Sequence, residues 1–329
     1  MQYLSLLLPA AIVWNFDPTL FSLGDFEVRW YGLMFAFAFI AGHFVLRYVY
    51  KTEGRPAEEM DRVTLAIIIA VVVGARFAHV IFYHPEYYFL DLFEQYSAYQ
   101  AGEPTVGNPP NTWIQALFLT ILRILNIREG GLASHGAAMA ILVAIWLFVR
   151  KRPGMSFLWL ADRLVLTIPL GGAMVRLGNL FNSEICGLPT DLPWAFIYVN
   201  GGGSDCSPVP RHPTQIYEAL LYIGLFFVLW FTYRKYKTAT PQGLLVGLLM
   251  VIMFAGRFFI EFFKEWQEEY QHSLPINTGQ MLSIPFVLVG AWLIWRSFQL
   301  PVPPPPPLPE APASDKNSPK TQTQTPPQA

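Results

Sequence analysis

The residues best suited to chemistry are concentrated in Arg176–Gly187, RLGNLFNSEICG, where Arg176, Asn179, Asn182 and Glu184 follow an apolar run, Ser156–Val175. A guanidinium, two carboxamides and a carboxylate at the end of a membrane span are costly to place, and such clusters mark sites. Guanidinium suits phosphate bidentately, so an anionic headgroup is the ligand class that fits. Comparable groups recur at Arg29 and Tyr31, at Ser134, His135 and Gly136, and at Arg211, His212, Gln215 and Glu218. Two arginines lie deeper. At 1.5 Å per residue, Arg257 sits roughly 21 Å and Arg76 roughly 20 Å along their spans. An arginine in hydrocarbon costs about 2.5–3.5 kcal/mol on insertion scales, so it needs an anion, a watery cavity or an ion-pair partner. Glu261, at i+4 from Arg257, can pair with it or aim it.

Each group has a plainer reading. Arg76 is either a phosphate contact or part of an intrabundle salt bridge. His135 is either a base or a satisfied core histidine. Glu218, one turn into a span, requires a partner. His212 opens a helix ahead of Pro213. Asp162 and Arg163 read as a local pair. Cys186, between Ile185 and Gly187, has no interpretable Cys–His spacing and is not assigned as a nucleophile; with Cys206 it makes at most one bridge. No His/Asp cluster stands at ligand spacing, so neither metal nor cofactor is implied.

The elements that must position these groups are membrane spans. The chain is 53% hydrophobic and 14% charged, with mean hydropathy +0.35, which fits a multi-spanning protein rather than a soluble one. Its net charge of −1 gives no reason to expect nucleic acid. Stretches at about Arg29–Tyr50, Val63–Tyr83, Ala133–Val149, Phe157–Val175, Thr214–Tyr233, Gly243–Phe263 and Gln280–Ser297 are each near the ~20 residues that cross a bilayer. The expected fold is therefore an all-α integral membrane protein of about seven transmembrane helices, with a small outer-face head and interfacial helices.

Lys51, Arg55 and Arg62, then Arg150, Lys151 and Arg152, then Arg234, Lys235 and Lys237 occupy alternate loops. Those loops are expected in the cytoplasm, which puts the N-terminus outside and the C-terminus inside. The N-terminal MQYLSLLLPAAIVW lacks the basic region and cleavage site of a signal peptide and reads as an interfacial helix. The long outer loops are 84–132 and 176–211. In the first, Ile114, Leu117, Phe118, Ile121, Leu122 and Leu125 share one face of an amphipathic helix suited to the interface. Residues 1–300 read as one membrane-embedded domain. Residues 301–329, Pro-rich then polar, read as a disordered cytoplasmic tail.

RLGNLFNSEICG resembles the R-x-G-N-F-x-N-x-E-x-x-G signature of prolipoprotein diacylglyceryl transferases. RWYGLMF (29–35), SHGA (134–137), RHPTQIYEA (211–219) and GRFFIEFFK (256–264) resemble further motifs of that family, in family order, and GARFAHVIFYHP (74–85) resembles its second span. The likeness covers roughly Phe21 to Trp295. It departs at Ala137, where members carry a second glycine, at Leu188, where many carry a basic residue, and in the longer 84–132 loop and the added tail.

The resemblance implies transfer of diacylglyceryl from phosphatidylglycerol to the lipobox cysteine of preprolipoprotein signal peptides, forming a thioether and releasing glycerol phosphate. The setting would be the outer face of the bacterial cytoplasmic (inner) membrane, among membrane lipids. Carried over by motif, the essential residues are Tyr31, His135, Arg176, Asn179, Glu184, Gly187, Arg257 and Glu261. Arg176 and Arg257 would stabilise the leaving phosphate. His135 would be the base, with Glu261 and Tyr31 as rivals. Arg76, Glu218 and His212 join the substrate-contacting candidates. The alternative from another class is a transporter or binding protein for an anionic lipid or solute, in which Arg76 and Arg257 line a pathway; the chain shows no internal repeat to support it.

Overall fold

The computed structural model describes residues 11–24, 26–83, 85–103, 108–126, 133–200, 206, 209–265, 276–302 and 304–308, with the backbone alone for Phe26 and Ser134. Helices α1 (Trp30–Thr52), α2 (Ala57–Phe82), α3 (Asp91–Ala101), α4 (Trp113–Leu125), α5 (Ser134–Arg150), α6 (Phe157–Leu164), α7 (Ile168–Phe181), α8 (Thr214–Tyr236), α9 (Leu244–Ile260) and α10 (Thr278–Gln299) dominate it. Strands β1 (Ile12–Trp14), β2 (Thr19–Leu23), β3 (Phe26–Arg29) and β4 (Phe196–Tyr198) are short. Helix starts follow local chemistry. Thr112 and Ser156 accept bonds from the backbone of Gln115 and Trp159, and Asn277 with Gln280 forms a reciprocal capping box at α10.

Five helices, α1, α2, α8, α9 (continued by a 3₁₀ turn, Glu261–Phe263) and α10, are long and apolar enough to cross a membrane; the bent pair α6 and α7 makes a sixth. The remaining expected span, α5, has only 17 residues, so a count of seven is not established. The chain is a mostly helical membrane protein in either case. Where one span was expected over 157–175, α6 and α7 meet at 42°. Pro169 lacks the N–H that would continue α6 and fits the first turn of a new helix. The second helix then runs on to Phe181, so Arg176 and Asn179 stand on its last turns rather than after the span.

The expected N-terminal helix is not observed where the chain is described. Ile12, Val13 and Trp14 pair in parallel with Phe196, Ile197 and Tyr198, and Trp14 Nε1 donates to the Leu180 carbonyl at 2.9 Å. β-Branched and aromatic side chains suit that strand, but the partner that selects it lies far along the chain. β2 and β3 form an antiparallel hairpin. In the 84–132 loop, a π-helical turn (Glu86–Leu90) leads into α3, and α4 exposes Ile114, Leu117, Phe118, Ile121, Leu122 and Leu125 as expected of an interfacial helix. Arg123 pairs with Asp91 at 2.7 Å, which holds the Asp91 carboxyl below its usual range.

The apolar core runs between α1, α6, α8 and α9, through Val49, Leu160, Leu229 and Leu245. At the Lys/Arg-rich end, Asp162 and Arg163 do not pair with each other as expected; they point to different neighbours. Asp162 accepts from the backbone of Gly243 and Val246 at 2.7 and 3.0 Å, capping α9, while Arg163 Nε bonds Glu53 at 3.0 Å. The start of the tail is also placed. Arg55 Nη1 donates to the Pro306 carbonyl at 3.1 Å, and Pro306 is buried. Pro306 therefore packs on the bundle, and the Pro307 ring lies against Gly154. The rest of the tail from 309 and the first ten residues lie outside the described residues.

Asp162→Ala leaves the Gly243 and Val246 N–H groups without that acceptor in a dry interior, at about 1–3 kcal/mol for an unmet buried group. Thermal melting in detergent should fall by several degrees, and Asp162→Asn, which keeps one acceptor, should recover much of the loss.

Candidate active site

Arg176 and Asn179 are three residues apart and share a face of α7, and Arg176 Nη1 donates to Asn179 Oδ1 at 3.2 Å. The chain then turns sharply. Ser183 (φ 53°) and Ile185 (φ 59°) both adopt left-handed backbone, which a β-branched residue rarely does. The turn folds Glu184 back on the helix: its N–H donates to the Asn179 carbonyl at 3.1 Å, and its Oε1 accepts from Asn179 Nδ2 at 2.6 Å and Asn182 Nδ2 at 3.3 Å.

Gly187 is the wedge between three segments. Its N–H donates to the His212 carbonyl at 3.0 Å, and its backbone bridges to Lys264. A methyl group there would meet the Phe263 carbonyl oxygen at 2.6 Å and the His212 carbonyl oxygen at 2.7 Å. Only hydrogen fits that gap. The bridge brings the segment after α9 against the start of α8.

What assembles there is a chain of alternating charges. Arg176 Nε stands 2.7 Å from Glu218 Oε2, and Lys264 Nζ donates to Glu218 Oε1 at 2.9 Å. Lys264 Nζ is 3.5 Å from Glu261 Oε2, and Arg257 Nε is 3.9 Å from the same oxygen. With Glu184, three carboxylates face three cations. Exposure falls unevenly along the chain: the Glu218 side chain is 1% exposed, Arg176 16% and Arg257 38%. Arg257 is thus the accessible end, with only a long ion pair holding it among the described residues. Glu261 Oε2 accepts no hydrogen bond within the described residues, which leaves a carboxylate oxygen facing two cations. This arrangement can bind a phosphate on guanidinium and take a proton on carboxylate.

The other expected site residues are placed as follows. Tyr31 packs its ring on Gly178 of α7, within the field of Glu184 and Arg176. Tyr222, not singled out from sequence, hydrogen-bonds Arg176. His212 contributes its backbone to the Gly187 wedge; its ring contacts Phe263, and Nδ1 lies 3.1 Å from the Tyr217 hydroxyl. Arg76 is buried on α2 and donates to the carbonyls of Ile124, Arg123 and Asn126 at 2.7–2.9 Å. These partners are carbonyls at the C-terminal end of α4 and at Asn126, which follows it. His135 is exposed at the start of α5, and no contact among the described residues joins it to the charged chain.

A family model described as prolipoprotein diacylglyceryl transferase matches residues 18–296, which include every member of the charged chain. The chain belongs to that family. Proteins named phosphatidylglycerol–prolipoprotein diacylglyceryl transferase from Tolumonas auensis, Chloroherpeton thalassium and Porphyromonas gingivalis are 41%, 38% and 38% identical to it. The alignments cover 86%, 87% and 90% of this chain and 96%, 94% and 98% of those proteins. The sequence motifs that resembled the family supply Arg176, Asn179, Glu184, Glu218, Arg257 and Glu261 to one network. Lys264 was missed as a site residue although it closes the last motif. Its spacing of three from Glu261 was the available signal.

Two outcomes follow from this geometry. Gly187→Ala should force the wedge apart at a cost on the order of 1–3 kcal/mol, read as a lower melting temperature. Burial holds the His212 imidazole below its ordinary value. The unfolded chain then binds a proton that the folded one resists, so His212 costs no stability above pH ~6.5 and progressively more as pH falls through its folded value. His212→Gln should flatten melting temperature between pH 7.5 and 5 relative to the parent protein.

Proposed function

We propose that this chain transfers the diacylglyceryl group of phosphatidylglycerol to the lipobox cysteine of a prolipoprotein, the first step of lipoprotein maturation. The observation that carries this reading is the charged chain from Arg257 to Glu184, built from the motifs that match the family.

In the reaction, the substrate thiol gives up its proton and its sulfur bonds to the glyceryl carbon. The carbon–oxygen bond to phosphate breaks, and glycerol phosphate leaves with the electron pair. A free thiol has pKa ~8.5, so a few per cent is already thiolate near neutral pH. The larger demand is charge on the departing phosphate. Arg257, half-exposed and loosely paired, is the group free to clamp it, and Arg176 is held in place behind by Glu218 and Asn179. Glu261, whose Oε2 faces Arg257 and Lys264 without accepting a hydrogen bond among the described residues, and His135 are the candidates for the proton. Tyr31, Asn179, Glu184, Gly187, Glu218 and His212 shape the site. Arg76 serves it indirectly, by anchoring α4 near the interface.

On this reading the site end of the bundle faces outward from the bacterial cytoplasmic membrane, where the lipidated cysteine emerges. The Lys/Arg-rich loops lie inside, by the positive-inside bias. The N-terminus is then outside and the C-terminal tail cytoplasmic.

Purified protein incubated with phosphatidylglycerol and a lipobox peptide should yield diacylglyceryl peptide and glycerol phosphate in equal amounts; absence of both overturns the proposal. Arg257→Ala should lower turnover by roughly 100-fold or more with melting unchanged, as expected for removal of a leaving-group contact.

A further inference from the structure

Cys186 and Cys206 form a disulfide, with Cα atoms 5.8 Å apart across a sequence separation of 20. Both residues are buried. Nothing in the reaction above uses this bond, yet Cys186 stands between Glu184 and Gly187, at the tightest part of the site.

The segment it joins is strained. Ser183 and Ile185 flank Glu184 in left-handed backbone, and such residues persist only where their surroundings over-determine them. Beyond the bonds within α7 and the turn, two side chains of α8 reach it. Gln215 Nε2 donates to the Glu184 carbonyl at 2.7 Å and lies 3.7 Å from Cys186 Sγ. Thr214 Oγ1 donates to the Ile185 carbonyl at 3.0 Å. Tyr198, whose hydroxyl is kept protonated by burial, donates to Gln215 Oε1 at 3.0 Å. These hydrogen bonds reach the strained turn from the start of α8 and from β4. The disulfide is the covalent restraint on it, and it ties the turn to the loop that follows β4.

We propose that the Cys186–Cys206 disulfide is a positioning clamp for Glu184, and through Asn179 for Arg176, so that full transferase activity requires the oxidised pair. The proposal rests on the reading of the reaction given above. Two-electron reduction by a dithiol breaks the S–S bond, leaves two thiols and converts the reductant to its own disulfide. The turn at 183–185 is then free to relax toward ordinary backbone. Glu184 moves off Asn179 Nδ2, and Asn179 no longer fixes the Arg176 guanidinium. Arg257 and Glu261, on the far side of Lys264, keep their places.

The test uses full-length protein in detergent with phosphatidylglycerol and a lipobox peptide. Dithiothreitol should lower kcat by about 10–100-fold, the scale of a small misplacement, with KM for the lipid changing less. Oxidised glutathione should restore it. Cys206→Ser should show the lowered kcat without further response to dithiothreitol, and still melt cooperatively. In a Glu184→Gln background Cys206→Ser should cost almost nothing more, because the clamp acts through Glu184; a purely structural bond would add its loss in full. An unchanged kcat with both thiols alkylated after reduction, or additive losses in the double variant, overturns the clamp. If oxidised wild-type protein forms no product at all, the reaction itself is overturned and the clamp with it.

Discussion

Glu218 is fully buried with a cation on each oxygen, Arg176 on one and Lys264 on the other. Removing a carboxylate from water costs several kcal/mol, and one partner seldom repays it. Two cations do, but each is then committed to the same point in space. Three elements are fixed by that commitment: the end of α7, the first turns of α8 and the segment after α9. The Gly187 wedge adds the signature loop as the fourth, through backbone bonds that tolerate no side chain. The position of the site is therefore set by where the fold can bury one acid.

The network has a direction. It begins deep, with Glu218 and Lys264 shielded, and ends at Arg257, which is partly exposed and weakly paired. In the interior, where the effective dielectric is low, charges held by others need no rearrangement when a ligand arrives. A loosely paired guanidinium at the rim can change partners cheaply. For a departing phosphate, fixed charges behind and a loosely paired, half-exposed cation in front form a favourable division of labour.

The other end of the bundle is polar for different reasons. Arg55 pairs with Glu59 and Arg163 with Glu53, Asp162 caps the first amides of α9, and Tyr233 donates to Glu53 at 3.1 Å. These groups hold α1, α6, α8 and α9 around the apolar core. The Pro306 carbonyl accepts from Arg55, so this residue of the tail belongs to the same knot.

Hydropathy and charge determined that the chain is a helical membrane protein, roughly where its spans lie, and that its unusual polar groups gather at their ends, because transfer free energy depends on composition along the chain. The spacing of RLGNLFNSEICG and its companion motifs was enough to indicate the family. Neighbours in space were not legible. Arg76 and Arg257 look alike in sequence, two arginines at similar depth, yet one meets carbonyls at the end of α4 and the other a carboxylate at the exposed end of the charged network. Periodicity gives a residue's height and its face on its own helix, not what stands opposite. Ile12–Trp14 became a strand only because Phe196–Tyr198 was there to pair with it. Lys264 gained its place from Glu218, 46 residues earlier. Those choices were made by tertiary structure, since a buried charge or an unpaired strand edge is stable only when a partner from elsewhere in the chain arrives to satisfy it.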